Sequence, residues 1–520
     1  MFQATGFSMW MNPTSIVLLL LAAGTVSADP RCVACHPKEV AGYARSAMAR
    51  SLSPVSSATI SPAGTFRHAF SNTRFTIKAG PSIITQSFER PLESAEQNVA
   101  FVIGSGSHAF GYLIQIGDHL FQSPLSYYTS RHSWDVAPGY ENDRRPDFSR
   151  PITPECLFCH SGRPLPIADT LNRYQSPAFA SYGISCERCH GDAQAHLEKP
   201  GSGAIINPAK LEGAARDSIC QQCHLTGETR IPNPGKSISD FKPGQSLEAF
   251  YTTYVAARSS GQTIKVVSHA EQLALSQCAR KSSGRLWCGT CHNPHDEPAQ
   301  PVAYFRDRCL SCHAATLEKS HAAPGRDCVG CHMPKLPASD GGHTAFTNHR
   351  IARPSREDSG SSEPDTLRPW REPDPSLRDR NLALALVTAG LQTQSSAEVI
   401  RGYRMLNSLE KSYQDDPAVL TTLGSVLMKG KQPAEALKRF EKVIELKPAY
   451  PPYHLNVATA LEAVGQTGKA AQELENALAL DPLFQPAVEL LGRIYVEQGQ
   501  TDKANQLRVT YQHAMGLTVR

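Results

Sequence analysis

Residues 377–520 set small against large apolar residues at helical spacing, and the pattern returns every 34 residues. Leu423-Gly424, Ala436, Phe440 and Pro448 mark one copy, and Val457-Ala458, Ala470, Leu474 and Pro482 mark the next. Leu491-Gly492, Tyr495 and Ala504 continue the series, and Ala389-Gly390 fits a degenerate earlier copy. A repeat of this kind predicts stacked helix pairs that share one continuous core. Residues 66–135 show another pattern. Phe66–Ile77, Ile83–Phe88, Asn98–Ile103 and Tyr112–Phe121 are rich in β-branched and aromatic residues and predict short strands, hence a small β-rich insertion at about 60–135. Elsewhere in 29–350 the apolar stretches are short, Gly and Pro are frequent, and helical periodicity is weak. Residues 351–376, with Arg353-Pro354-Ser355, Ser359-Gly360-Ser361-Ser362 and four further prolines, predict an extended linker. At the start, the apolar run Ile16–Ala23 is too short to span a bilayer and precedes Val26-Ser27-Ala28, a small-residue cleavage signal. Residues 1–28 therefore read as an export signal cut after Ala28, although they contain no Lys or Arg. Left uncut, the segment is a membrane anchor.

Composition changes this picture at one point. The 520 residues carry 52 Lys+Arg against 48 Asp+Glu, which excludes a basic nucleic-acid surface or an acidic tail. Leu, Ile, Val and Phe are sparse before residue 370, so 29–350 lacks the apolar side chains for a core and needs bulk from elsewhere. The cysteines name the source. Fourteen of the 15 fall in seven copies of C-x-x-C-H, where chance at this composition gives about 0.02 copies. The copies are Cys32-Cys35-His36, Cys156-Cys159-His160, Cys186-Cys189-His190, Cys220-Cys223-His224, Cys288-Cys291-His292, Cys309-Cys312-His313 and Cys328-Cys331-His332.

Cysteines three apart share a helical face and reach both vinyl groups of one haem, and the adjacent His supplies the proximal iron ligand. Zinc needs two such pairs per ion and no adjacent His, and seven is odd. The motif therefore predicts seven covalent haems c, attached outside the cytoplasm, in keeping with export to the periplasm or beyond. At about −1 per ferric haem with ionised propionates, seven take the formal +4 slightly negative.

The second axial ligand decides what each iron can do. An iron with two histidines is full and passes electrons, whereas an open one binds a small molecule. Outside the motifs, 29–350 holds ten histidines: His68, His108, His119, His132, His196, His269, His295, His321, His343 and His349. His295 follows His292 by three residues and His196 follows His190 by six, so each is too close to reach round its own porphyrin and points to a neighbouring one. His343 and His349 lie in a stretch able to fold back on the last motif, and His119, in a strand-like run, ranks last. Met48 and Met333 read as packing, and Cys278 as a buried free thiol.

Tyr43–Ser51, Gly104–His108, Trp134–Tyr140, Ser268–Gln272, Cys291–His295, Cys331–Lys335 and His343–His349 together resemble a bacterial family of multihaem cytochromes with C-terminal tetratricopeptide (TPR) repeats. The 34-residue repeat is similar to a TPR array. The haem segments are similar to the superfamily of tetrahaem cytochrome c-554, pentahaem nitrite reductase and hydroxylamine oxidoreductase. The resemblance implies a mainly α fold: a multihaem cytochrome c domain with packed haem pairs and a small β-rich insertion, followed by an α-helical TPR solenoid. It favours His269, His295, His343 and His349 as distal ligands, with His108 and His68 behind them and His196 added by its spacing. All seven motifs end in His, so the Lys-ligated catalytic haem of the nitrite reductases is not carried over, and no tyrosine matches the cross-link of hydroxylamine oxidoreductase.

These features imply an electron-transfer protein whose TPR half docks a redox partner or another peptide or protein ligand. The alternative is an oxidoreductase acting on a small nitrogen or sulfur compound at one five-coordinate haem, under the long stretch 37–155. No hydrolase triad, phosphate loop or dinucleotide fingerprint is present; Gly104-Ser-Gly-Ser lacks the lysine and spacing of a phosphate loop.

Overall fold

A computed structural model describes residues 30–519 except 57–58, 60, 202, 257–262, 321–326 and 353–365. The export signal and its cleavage point, His321, and half of the expected linker lie outside the described residues.

The β-rich region is far larger than an insertion, and the expectation of a mainly α haem domain is overturned. Seven strands run in sequence order: Gly64–His68, Thr73–Ala79, Ile84–Arg90, Glu93–Ile103, Ala109–Ile116, His119–Tyr128 and Ser133–Val136. Leu52–Pro54, Arg150–Pro151 and the C-terminal Leu517–Val519 complete a sheet of ten. It curls into a nearly closed barrel, since the Trp134 indole on the last strand donates to Pro62 O at 2.8 Å beside the first. Smaller antiparallel pairings follow at Arg163–Pro166 with Tyr174–Ser181 and at Thr229–Pro232 with Tyr251–Ala256. Strand structure thus extends from 52 to 256.

Two expected strands are hairpins. Phe66–Ile77 turns at Asn72 (φ 55°), and Tyr112–Phe121 turns at Gly117 (φ 60°). Both residues hold left-handed backbone, which Asn tolerates and Gly adopts freely. Alternation on either side of an even-numbered turn, four residues in the first hairpin and two in the second, reads as one run in a linear scan. Glu93–Ile103 organises the sheet: its first half pairs with Ile84–Arg90 and Leu517–Val519, its second with Ala109–Ile116 and Leu52–Pro54.

The C-terminal part forms four helix pairs, from Arg378–Gln392 with Ser396–Leu409 to Gln485–Glu497 with Thr501–Ala514. Between them stand Pro417–Lys429 with Pro433–Leu446 and Pro451–Ala463 with Thr467–Leu480. Asp416 caps Pro417–Lys429 by accepting from the N–H groups of Ala418 and Val419. The small-against-large pairing of the repeat is direct: a Cβ on Gly424 would lie 2.4 Å from the Phe440 ring.

The helix array is welded to the rest of the chain. Val488, Tyr511 and Met515 belong to the core of the large sheet. The His119 imidazole, 5% exposed, bridges Asp118 at 2.8 Å and the buried Asp481 at 2.9 Å, so its role is structural. Arg173 donates to Leu480 O at 3.1 Å. Further along, the buried Arg380 pairs with Asp416 at 2.7 Å and donates to Pro232 O at 3.0 Å. Leu367–Pro369, inside the expected linker, is a strand beside Tyr251–Ala256. Among the described residues no helix is long and apolar enough to cross a membrane.

Two stability outcomes follow. Gly424→Ala forces the Phe440 ring aside and costs about 1–3 kcal/mol, and adding Phe440→Leu recovers part of it; chemical denaturation of the two variants checks this. His119→Ala and Asp481→Ala each cost about 2–4 kcal/mol by leaving the other group buried without its partner, and the double variant costs clearly less than the sum in a double-mutant cycle.

Candidate haem sites

Each motif occupies one helical turn. His36, His190 and His292 close that turn by donating N–H to the carbonyl of the first cysteine of their own motifs at 2.9 Å. Pro154–His160, Gly213–His224, Pro301–Ser320 and Cys328–His332 hold the other four inside helices. Both thiols and the imidazole of every motif are thereby presented together, as double attachment and iron ligation require.

The surroundings suit a large apolar group. Between Ile264 and Pro373, a stretch carrying three motifs, no described apolar side chain is buried. His160 and His292 lie deep in the protein yet have exposed ring surface, so they line crevices rather than a packed core, and desolvation lowers the pKa of both. Desolvation also lowers His224 to about 4, with His349 and His292 adding repulsion, and His269 to about 3. These imidazoles are neutral at pH 7 and keep a lone pair for a metal. The tautomer is fixed in three cases. Nδ1 faces a carbonyl in His190 (Ile206 O, 2.8 Å), His332 (Ala352 O, 3.0 Å) and His349 (Thr347 O, 2.9 Å), so Nδ1 carries the proton and Nε2 keeps the lone pair.

Four of the seven candidate distal histidines stand beside a motif histidine of another segment. Ring centres are 6.3 Å apart for His36 and His196, 5.7 Å for His190 and His295, and 6.2 Å for His292 and His349. Imidazoles on opposite sides of one metal ion, with bonds of about 2 Å, have centres about 6 Å apart. His224 and His269 are closer, with Nδ1 atoms 3.3 Å apart, and His269 also lies 4.8 Å from His349. The other three meet different neighbours. His68 bonds Ser71 Oγ and Glu141 O, His108 packs on Phe346 at 4.2 Å, and His343 pairs with Asp135 at 2.8 Å.

The motifs touch one another through their cysteines. Cys159 and Cys223 are hydrogen-bonded, as are Cys220 and Cys288. Contact with Cys223, helped by Arg230 and Arg188, brings the Cys159 thiol down to about 6, and burial raises Cys189 to about 11. No cysteine is disulfide-bonded, and among the described residues no three His, Cys, Asp or Glu side chains converge as a metal cage. Cys278 is half-buried rather than buried, with Cys312 close enough to raise its pKa after desolvation. Arg188 and Arg230 carry no sequence signal, being ordinary arginines in a spacer and a strand that only folding brings to these thiols.

A tetratricopeptide repeat model matches residues 417–450. The chain is a distant relative of the dissimilatory sulfite reductase MccA of Wolinella succinogenes, 26% identical over 278 residues, which cover 48% of this chain and 32% of that protein. It is also 32% identical over 83 residues to the TPR repeat-containing thioredoxin TTL4 of Arabidopsis thaliana, 16% of this chain and 12% of that one. A solved structure of MamA aligns with 27% of this chain and 81% of its own at 23% identity, with a TM-score of 0.24. The chain thus spans about a third or less of the length of these curated relatives.

If all seven motifs carry haem, the purified holoprotein unfolded without reductant exposes one maleimide-reactive thiol, Cys278. Each motif left unmodified raises the count by two, read by intact mass.

Proposed function

We propose that this chain is a periplasmic c-type cytochrome that binds seven haems covalently and transfers electrons, with its TPR array meeting a redox partner. One arrangement carries the reading: histidines that lie outside the motifs stand at metal-bridging distance from motif histidines of other segments. Bound haem c supplies one-electron exchange at iron.

The chain's own residues do the positioning. His196, after the third motif, returns to His36 of the first. His295, after the fifth, returns to His190 of the third, and His349, after the seventh, returns to His292 of the fifth. Successive odd-numbered motifs are therefore linked, as the short spacings of His196 and His295 require. The fourth motif is joined to its neighbours through Cys223 with Cys159 and Cys220 with Cys288. Crossed attachment holds neighbouring motifs close and fixes their mutual orientation, as fast electron exchange needs.

A second reading has its own support. His160 sits in a crevice with no histidine facing it among the described contacts, and the MccA likeness adds a relative named for reducing sulfite. On this reading the second motif holds an open iron that takes a small sulfur or nitrogen compound.

Electron paramagnetic resonance of the oxidised protein, with haem counted as pyridine haemochrome, separates the two. Low-spin signals alone from seven haems support conduction. One high-spin signal per chain, with turnover of sulfite or hydroxylamine, supports the open site. His295→Ala converts one low-spin haem to high-spin with the haem count unchanged, and an unaltered spectrum removes the assigned pairing.

A further inference from the structure

Two arginines sit where the second, third and fourth motifs meet. Arg188 is a spacer residue of the third motif. It donates to Phe158 O of the second at 2.7 Å and lies 3.9 Å over the Phe158 ring. Arg230, on the strand Thr229–Pro232, reaches back over the fourth motif to Gln222 O at 3.4 Å and to Leu225 O, and contacts the Cys159 thiol. Cys159 and Cys223 touch at the same place, and Cys159 Sγ is 3.8 Å from Gln222 O. Buried Phe158, Phe241, Phe250 and Tyr251 close the junction.

Four polar atoms here are buried without a hydrogen-bond partner: Nε of Arg188, Nε of Arg230, Tyr251 Oη and Gln222 Oε1. Glu271 acts on Arg230 at a distance, and Glu248 acts on Tyr251. The hydrogen bonds of both guanidiniums to oxygen end on main-chain carbonyls, which leave the charge in place.

We propose that Arg188 and Arg230 form a cationic node that makes the junction of the second, third and fourth motifs the most easily reduced point of the chain. This rests on the haem reading above. An arginine cannot lose its charge in a protein, and in a site walled by aromatic rings that charge is weakly screened. It therefore favours an added electron beside it. The step is one electron from an external donor, one ferric centre becoming ferrous, with no bond made or broken. A buried, unpartnered guanidinium Nε is costly unless it acts on an anionic or reducible group.

The test is an anaerobic optical redox titration of the full-length holoprotein against Arg188→Gln, Arg230→Gln and the double variant, with Arg188→Lys and Arg230→Lys as charge-keeping controls. The most positive component moves to lower potential in each Gln variant and further in the double variant, while the Lys variants stay near the parent. Superimposable titrations, or Lys variants shifted as far as the Gln ones, overturn the proposal. A peptide map of the parent protein that finds the second, third and fourth motifs without haem overturns instead the reading beneath it.

Discussion

The lack of any buried apolar side chain among the described residues between Ile264 and Pro373 is the constraint on which the rest of the structure depends. Folding must offset the conformational entropy of ordering each residue, and burying side chains is the usual way. Here a stretch carrying three motifs buries none of its described apolar side chains up to Pro373. On the proposed haem reading, order comes from groups attached at the cysteines and from histidines that bind across segments. The single helical turn at each motif is the local device, because it presents two thiols and an imidazole together. The crossing histidines would then make a chain of such turns into one body.

Around that core-poor region the chain builds a conventional frame. The ten-stranded sheet and the helix array each have a large apolar core, and they share one through Val488, Tyr511 and Met515. Buried polar clasps fix their relation: His119 between Asp118 and Asp481 at one place, Arg380 between Asp416 and Pro232 at another. Such clasps add little net energy over apolar packing and are costly to break, so they specify how the parts sit. A helical repeat of a kind that often serves as a docking module is here engaged with its own chain along several of its turns. What it offers a partner is the surface that remains.

The motifs differ in what surrounds them. His36, His190 and His292 face a second imidazole at metal-bridging distance, whereas His160 lies in a crevice near arginines and aromatic rings. Seven motifs of one C-x-x-C-H pattern can therefore differ in ligation and in ease of reduction. A run of equivalent centres would conduct without direction, and unequal surroundings give an electron a place to collect.

The attachment chemistry was legible in sequence because it is local. The two cysteines and the histidine of a motif span one helical turn, so spacing alone fixes their relation, and the 34-residue repeat is local for the same reason. The short reach of His196 and His295, too close in sequence to round their own porphyrins, likewise needs no fold. The identity of the neighbouring motif does: His295 meets His190 across more than a hundred residues, by packing that no periodicity encodes. The extent of the sheet was hidden too, since hairpin turns at Asn72 and Gly117 leave the alternation unbroken and Leu517–Val519 joins the sheet from the far end of the chain. His119, Asp481, Arg188 and Arg230 gained their meaning only when distant segments converged. Charge and desolvation depend on three-dimensional neighbours, and those the tertiary structure alone decided.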